Sequence, residues 1–255
     1  MRCVFACLLS FALSFSIVAS TDTPHWSLDG VTSGWNAPLL VTSYFHHSEL
    51  QRQWARELIG KQSFCGDEKM LDFGCGDGKI SAEMCRLVPR GSVTGVDISS
   101  EMLQFAERKF PRYAYANLDF QKSSSLTFDD IPISQSYDVI CSFCVFHQVA
   151  NSLDLLKNLK KHLKQTGKLM LVVPAGKNPA FFEAAKEMFF QYQLKTPWKD
   201  KPSVTDLNMR TVEGCFTLLK DAGYKTLSLE MIDTDNPFYD KNELIAWMIG
   251  TSPNL

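Results

Sequence analysis

Asp72, Gly74, Gly76 and Gly78, with Asp97 nineteen residues after the last glycine, have the types and spacing of a nucleotide-binding turn. Glycines let a backbone take positive φ and come close to a ligand, and amides at the start of a following helix face that ligand. Cys75 sits inside this turn. A carboxylate ending the next strand, here Asp97 followed by Ile98, can accept two hydrogen bonds from ribose hydroxyls. The dinucleotide fingerprint G-x-G-x-x-G has its third glycine one residue later than the G-x-G-x-G found here, where Asp72 also precedes the first glycine. A nicotinamide cofactor therefore loses ground, and a Rossmann oxidoreductase stands as a competing reading. A tight turn with no ligand is the bland alternative, and it leaves the matched carboxylate strand unexplained.

The elements around these residues follow from hydrophobic periodicity. The apolar stretch starting at Lys69 enters the turn, and Ile80, Met84, Leu87 and Val88 leave it at helical spacing. Ser92–Asp97 reads as a second strand, and Ser99 and Ser100 cap a helix through Phe110 that Pro111 closes. Tyr113–Gln121 reads as a third strand and Tyr137–Phe143 as a fourth, fully buried one. Ligands of open α/β sheets sit outside the carboxyl ends of strands, so Cys144–Val149, including His147, falls at the site. A helix over Leu153–Leu163 carries a solvated lysine face, Gly167 ends it, and Lys168–Val173 forms the fifth strand. Thr211–Ala222 is a further helix, Tyr224–Ile232 a sixth strand and Asn242–Ile249 a final helix. This alternation predicts an α/β fold: a doubly wound, mainly parallel Rossmann-like sheet in the order 3-2-1-4-5-6, under a helical lid from residues 21–60 and 176–206. The expected divisions are 1–20, a cap region at 21–60, a cofactor-binding core at 61–175, and a lid with the carboxy-terminal part at 176–255.

The pattern D-x-G-x-G-x-G followed by V-x-G-V-D-x-S resembles the class I S-adenosylmethionine-dependent methyltransferases. That resemblance implies S-adenosyl-L-methionine as cofactor, with Asp72 near its methionine amino group, Gly74, Cys75, Gly76 and Gly78 against its backbone, and Asp97 with Ile98 at the ribose. It places Ser123, with Ser124, where relatives carry an adenine-binding Asp, and it counts Ser142 among the cofactor-binding residues. Serine lacks a carboxylate's acceptor strength, so weaker cofactor binding is expected. Ser48-x-x-Gln51-x-x-x-Ala55 is similar to a string in juvenile hormone acid methyltransferases. Cys144–Val149 resembles S-F-x-x-x-H-W-V of the trans-aconitate and juvenile hormone acid group, with Gln148 where tryptophan is usual. The implied reaction is methyl transfer to a carboxylate of a small, partly apolar organic acid, gripped by His147 and Gln51, with Trp35 and Phe181-Phe182 around its apolar body. An ionised acid needs no general base. The runner-up is carbon or phenol methylation of quinone type, in which His147 is the base. A cofactor-binding protein without turnover is the third reading. It draws on Ser123 and on Glu243–Thr251, which resembles trans-aconitate methyltransferases where those continue to a last antiparallel strand; the sixth strand is then expected to pair with the fifth or leave an edge open.

With 255 residues, 45% hydrophobic content and a net charge of -2, the chain suits one sizeable α/β core and disfavours a nucleic-acid surface. Cys141-x-x-Cys144 lacks the context of a redox pair or zinc site, and no metal is expected. Arg2, the apolar run Cys3–Val18 and the small residues Val18-Ala19-Ser20 match a secretory signal peptide. Export is thus expected, with membrane attachment if the segment is uncleaved and a cytoplasmic protein if the start site is mis-assigned.

Overall fold

A computed structural model describes residues 2–9, 38–124, 128–130, 136–149, 151–175 and 211–233, with the single positions Glu243, Trp247 and Thr251. Trp35, Phe181 and Phe182, the lid stretch 176–206 and most of the final predicted helix lie outside the described residues. Seven strands form one sheet: β1 (Arg2–Leu9), β2 (Lys69–Phe73), β3 (Ser92–Asp97), β4 (Leu118–Lys122), β5 (Tyr137–Phe143), β6 (Leu163–Ala175) and β7 (Lys225–Asp233). Their order is β4-β3-β2-β5-β6-β1-β7, and every described pairing is parallel. The helices are α1 (Pro38–His47), α2 (Glu49–Gly60), α3 (Lys79–Leu87), α4 (Ser100–Lys109), α5 (Ser152–His162) and α6 (Val212–Asp221).

Strand periodicity divides the core into two layers. On one face Leu71, Ile140, Leu169 and Leu171 pack with Leu155, Leu156 and Leu159 of α5 and Leu219 of α6. On the other Met70, Val139, Met170 and Val172 meet Trp54 and Leu58 of α2 and Met84 of α3. Adjacent residues of β2 and β6 thus serve opposite cores, which is the doubly wound arrangement. Leu155 and Leu159 are fully buried, and truncating either to Ala is expected to cost about 2–5 kcal/mol.

Three local expectations are corrected. The third strand, expected from Tyr113, starts at Leu118, because residues 112–114 form a turn; ahead of β2, α1 and α2 are separated at Ser48, whose amide and hydroxyl both donate to the Tyr44 carbonyl, at 2.9 and 2.5 Å. Gly167 does not end a helix: α5 stops at His162, β6 starts at Leu163, and the register jumps from Tyr137↔Leu163 to Val139↔Lys168, so Gly167 closes an irregularity inside the strand. The sixth predicted strand, β7, neither joins the fifth, β6, nor leaves that edge open. Arg2–Leu9, part of the segment read as an export signal, lies between them, matching Lys168–Ala175 on one side and Lys225–Asp233 on the other. An apolar run satisfies both a signal pattern and an inner strand of a parallel sheet. No helix among the described residues is long and apolar enough to cross a membrane.

Candidate active site

The predicted turn lies where the sheet's carboxyl ends meet the helix starts. Gly74, Gly76 and Gly78 all have positive φ, at 75°, 52° and 75°. Their surroundings differ. A Cβ on Gly74 would run into Val145, and one on Gly78 would lie 2.7 Å from the Phe120 ring, so these two glycines allow close packing. A Cβ on Gly76 would meet only the Tyr44 ring edge at 3.8 Å, so its open side faces the cavity. The Gly74 and Cys75 amides donate to the Val96 carbonyl at 2.7 and 3.0 Å, locking the turn to β3.

Asp97 is held by backbone donors. The Gly76 N–H donates to one carboxylate oxygen and the Ser99 N–H to the other, both at 2.9 Å. The Ile98 amide adds a third donor, and the carboxylate keeps acceptor capacity for a further one. Burial still raises its carboxyl above the usual carboxylate range against these hydrogen bonds. Asp72, at the end of β2, is buried and accepts from the Ser81 hydroxyl at 2.6 Å. Burial, reinforced by the Asp97 and Asp77 charges, pushes its carboxyl up to about 7. Asp77 is raised as well, chiefly by burial, with Lys79 opposing. Three acids thus converge where no buried cation but Lys79 is described, which is the environment a positively charged ligand relieves.

Two adjoining cavities open here. The larger is walled by Gly74, Gly76, Asp97, Ile98, Met102, Ser123, Cys144, Val145, Gln148 and Val149, with Tyr44 as its roof. Asp72, Asp77, Cys75, Lys79, Ser48 and Gln51 line the smaller, and Tyr44 belongs to both. In the larger cavity Ser123 is buried, and its hydroxyl donates to Asp130 Oδ1 at 2.7 Å. The other Asp130 oxygen accepts from the Ser124 N–H and hydroxyl, at 2.5 and 2.7 Å. A carboxylate therefore does stand behind Ser123. Asp119 points elsewhere, toward Arg112 at 3.4 Å.

Of the residues singled out in sequence, Asp72, Gly74, Cys75, Gly76, Asp97, Ile98, Ser123 and Gln51 line these cavities. Gly78 packs behind the turn, and Ser124 is exposed and holds Asp130. Ser142 is a correction. Fully buried, it donates to the Phe73 carbonyl at 2.9 Å, so its hydroxyl ties β5 to β2 instead of facing the cavity. Gln51 is buried too, and its carbonyl accepts from the Trp247 indole at 3.3 Å. His147 has its backbone in the short 3-10 turn Phe146–Gln148, and its side chain lies outside the described residues. Cys144 has a left-handed φ of 59°, and burial pushes its thiol up to about 12. The trio of exposed Cys65 and Asp67 with half-buried Glu68, spaced as metal ligands could be, precedes β2 at the far end of the sheet, and Glu68 already accepts from the Cys65 and Gly66 amides. Sequence reading missed Tyr44, Asp77, Lys79 and Asp130 as parts of the site.

The site fits S-adenosylmethionine by its donor set: acids for a cationic end, a fixed carboxylate for a diol, and Ile98, Met102 and Ser123 in the wall of the larger cavity for an aromatic base. A family described as "Methyltransferase domain" matches residues 66–231. The malonyl-[acyl-carrier protein] O-methyltransferase of Paenibacillus sp. is 24% identical over 205 residues, 77% of this chain and 71% of that one. The trans-aconitate 2-methyltransferase of Rhodopseudomonas palustris is 25% identical over 156 residues, 61% of this chain and 56% of that one. The chain spans about half the length of several other relatives, such as 46% of the malonyl-[acyl-carrier protein] O-methyltransferase of Priestia megaterium, at 28% identity over 50% of this chain. Among solved structures the [4+2]-cyclase SpnF has a TM-score of 0.51 at 16% identity, covering 67% of this chain and 57% of that one, which is a likeness of fold. The family match across the turn, both acids and the sheet makes this chain a member of the methyltransferase-domain family, with S-adenosyl-L-methionine as its cofactor.

Proposed function

We propose that this methyltransferase methylates a carboxylate oxygen of a small, partly apolar organic acid. The observation that carries the reading is the chemistry of the acceptor side. Tyr44 and Cys144 stand there, and desolvation raises the Tyr44 hydroxyl well above its ordinary value while the Cys144 thiol rises to about 12. Both are neutral at physiological pH and neither is a useful base. An acceptor that arrives ionised suits such a wall, and a carboxylic acid with a reference pKa of about 4 does so. Two relatives named for acid or acyl-carrier substrates, malonyl-[acyl-carrier protein] and trans-aconitate, point the same way.

In this reading Asp72 and Asp77 face the cofactor's methionine ammonium, Asp97 takes the ribose hydroxyls, and Ser123, steadied by Asp130, meets the adenine amino group. When bound, the cofactor supplies an electrophilic sulfonium methyl. The chain's own contribution is to align and to keep water out. Tyr44 roofs the reacting end, His147 and the amide NH2 of Gln51 hold the acid, and Trp35 with Phe181 and Phe182 enclose its apolar part.

The test is a panel of tricarboxylic and fatty-type acids beside phenols, incubated with methyl-labelled cofactor and the full chain. Label released by mild alkali as methanol marks an ester and supports the reading. Label confined to phenols or carbon would move His147 to the role of base and end the carboxylate proposal.

A further inference from the structure

Lys79 is a lysine with almost no access to water, 7% exposed, at the first position of α3 directly after the cofactor turn. Its ammonium has three oxygen partners. It donates to the Phe45 carbonyl and the Ser48 hydroxyl, both at 2.7 Å, and pairs with Asp77 Oδ2 at 3.1 Å. Ser48 in turn donates to the Tyr44 carbonyl. The Phe45 carbonyl, in the last turn of α1, is thereby satisfied by a cation lying where the helix dipole is negative, while the Tyr44 carbonyl takes both the amide and the hydroxyl of Ser48. The Phe45 ring also lies under Nζ, 4.7 Å from its centroid.

A single buried charge therefore joins the lid to the turn, and the residue it seats is Tyr44. That ring is the nearest group to the open side of Gly76 and, with Gly74 and Phe143, lines both cavities. The neighbouring lid helix has its own tether: Arg52 and Arg56 of α2 pair with Glu83 of α3. Besides Lys79, α1 rests on α4 through Phe45 and Phe105, with ring centroids 5.1 Å apart, and on Lys109 over the Phe45 ring.

We propose that Lys79 is a positioning residue for the cofactor: paired with Asp77, it clamps the carboxyl end of α1 to the turn and so holds Tyr44 over Gly76, and cofactor affinity depends on it through Tyr44. The proposal rests on the two cavities together taking S-adenosylmethionine.

The full chain carrying Lys79→Met, Tyr44→Ala or both tests this by hydrogen exchange and by calorimetry with S-adenosylmethionine. Lys79→Met should speed amide exchange in residues 38–47 about tenfold or more while 49–60 and 69–73 keep wild-type rates, since local opening reports local contacts. It should weaken the cofactor about tenfold, as loss of a buried polar anchor does. Tyr44→Ala should weaken it similarly without faster exchange in 38–47, and the double variant should bind no worse than the weaker single one. Should Lys79→Met fail to fold with Asp77 left unpaired, Lys79→Gln, which keeps a polar group among the same oxygens, replaces it in the same comparison. Wild-type affinity in the lysine variant, unchanged exchange in 38–47, or losses that multiply in the double variant would overturn the clamp. Failure of wild-type protein to bind the cofactor is a separate result that removes the underlying reading.

Discussion

The Ser123 hydroxyl donates to Asp130 Oδ1 at 2.7 Å, bringing a carboxylate behind a position where the chain itself has none. A hydroxyl whose proton is engaged by an acid is a better acceptor for an amino group on its other side. Asp130→Ala should therefore weaken S-adenosylmethionine about threefold to tenfold, the size of one modest hydrogen bond. Calorimetry on the full chain checks this, and Asp130→Ala should leave proton release on binding as in the wild type.

Cofactor binding should be linked to pH through Asp72. Its carboxyl, raised by burial to about 7 in the folded protein, is largely protonated at pH 6. A cation bound beside it favours the ionised form, so binding should release up to one proton, and affinity should fall as pH drops below about 7, by up to about tenfold per unit. The stability sign is the opposite. The folded protein holds a proton that the unfolded chain gives up near its ordinary carboxylate value, so this group lowers stability as pH rises from about 4 to about 7, with no further change above. Asp72→Asn should reduce both effects, leaving only what the raised Asp77 and Asp97 carboxyls contribute. Calorimetry in buffers of differing ionisation enthalpy measures the proton count, and a count of zero at pH 6.5 would contradict the assignment.

Gly78 combines a φ of 75° with a blocked Cβ position, 2.7 Å from Phe120 and 2.8 Å from the Ala106 methyl. Gly78→Ala should lose about 1–3 kcal/mol from backbone strain and overpacking together. Urea unfolding followed by tryptophan fluorescence reads this directly.

β1 gives both β6 and β7 a partner over eight residues. Deleting residues 2–9 should lower the thermal midpoint by about ten degrees or more, while cofactor affinity stays within about threefold, because β2, β3 and β4 lie at the other end of the sheet. Amino-terminal sequencing of the protein from its natural source tells whether this segment is retained; removal near Thr21 is the outcome expected of an export signal.

The cofactor turn was legible in sequence because its requirements are local. Positive φ demands glycine at Gly76 and Gly78, and a strand of six residues carries Asp97 to its carboxyl end. The strand pattern likewise fixed Tyr137–Phe143 without error. Ser142 was misplaced because the alternation of β5 turns its hydroxyl toward Phe73, a contact spanning 69 positions that periodicity alone does not expose. Lys79 and Tyr44 were missed for the same reason: the oxygens that define the clamp lie 31 and 34 positions away in the chain. Asp130 lies seven positions beyond Ser123, and neither helical nor strand spacing pairs the two. The run at Arg2–Leu9 fits two physical descriptions, and composition does not choose between them.

The most direct test of the account is titration of the full chain with S-adenosylmethionine and, separately, with NADH, in wild type and Asp97→Ala. Wild type should bind S-adenosylmethionine and not NADH. Asp97→Ala should lose about 2–4 kcal/mol of that affinity, the worth of two hydrogen bonds to a charged acceptor. Binding of NADH in place of S-adenosylmethionine, or S-adenosylmethionine affinity indifferent to Asp97→Ala, would contradict it.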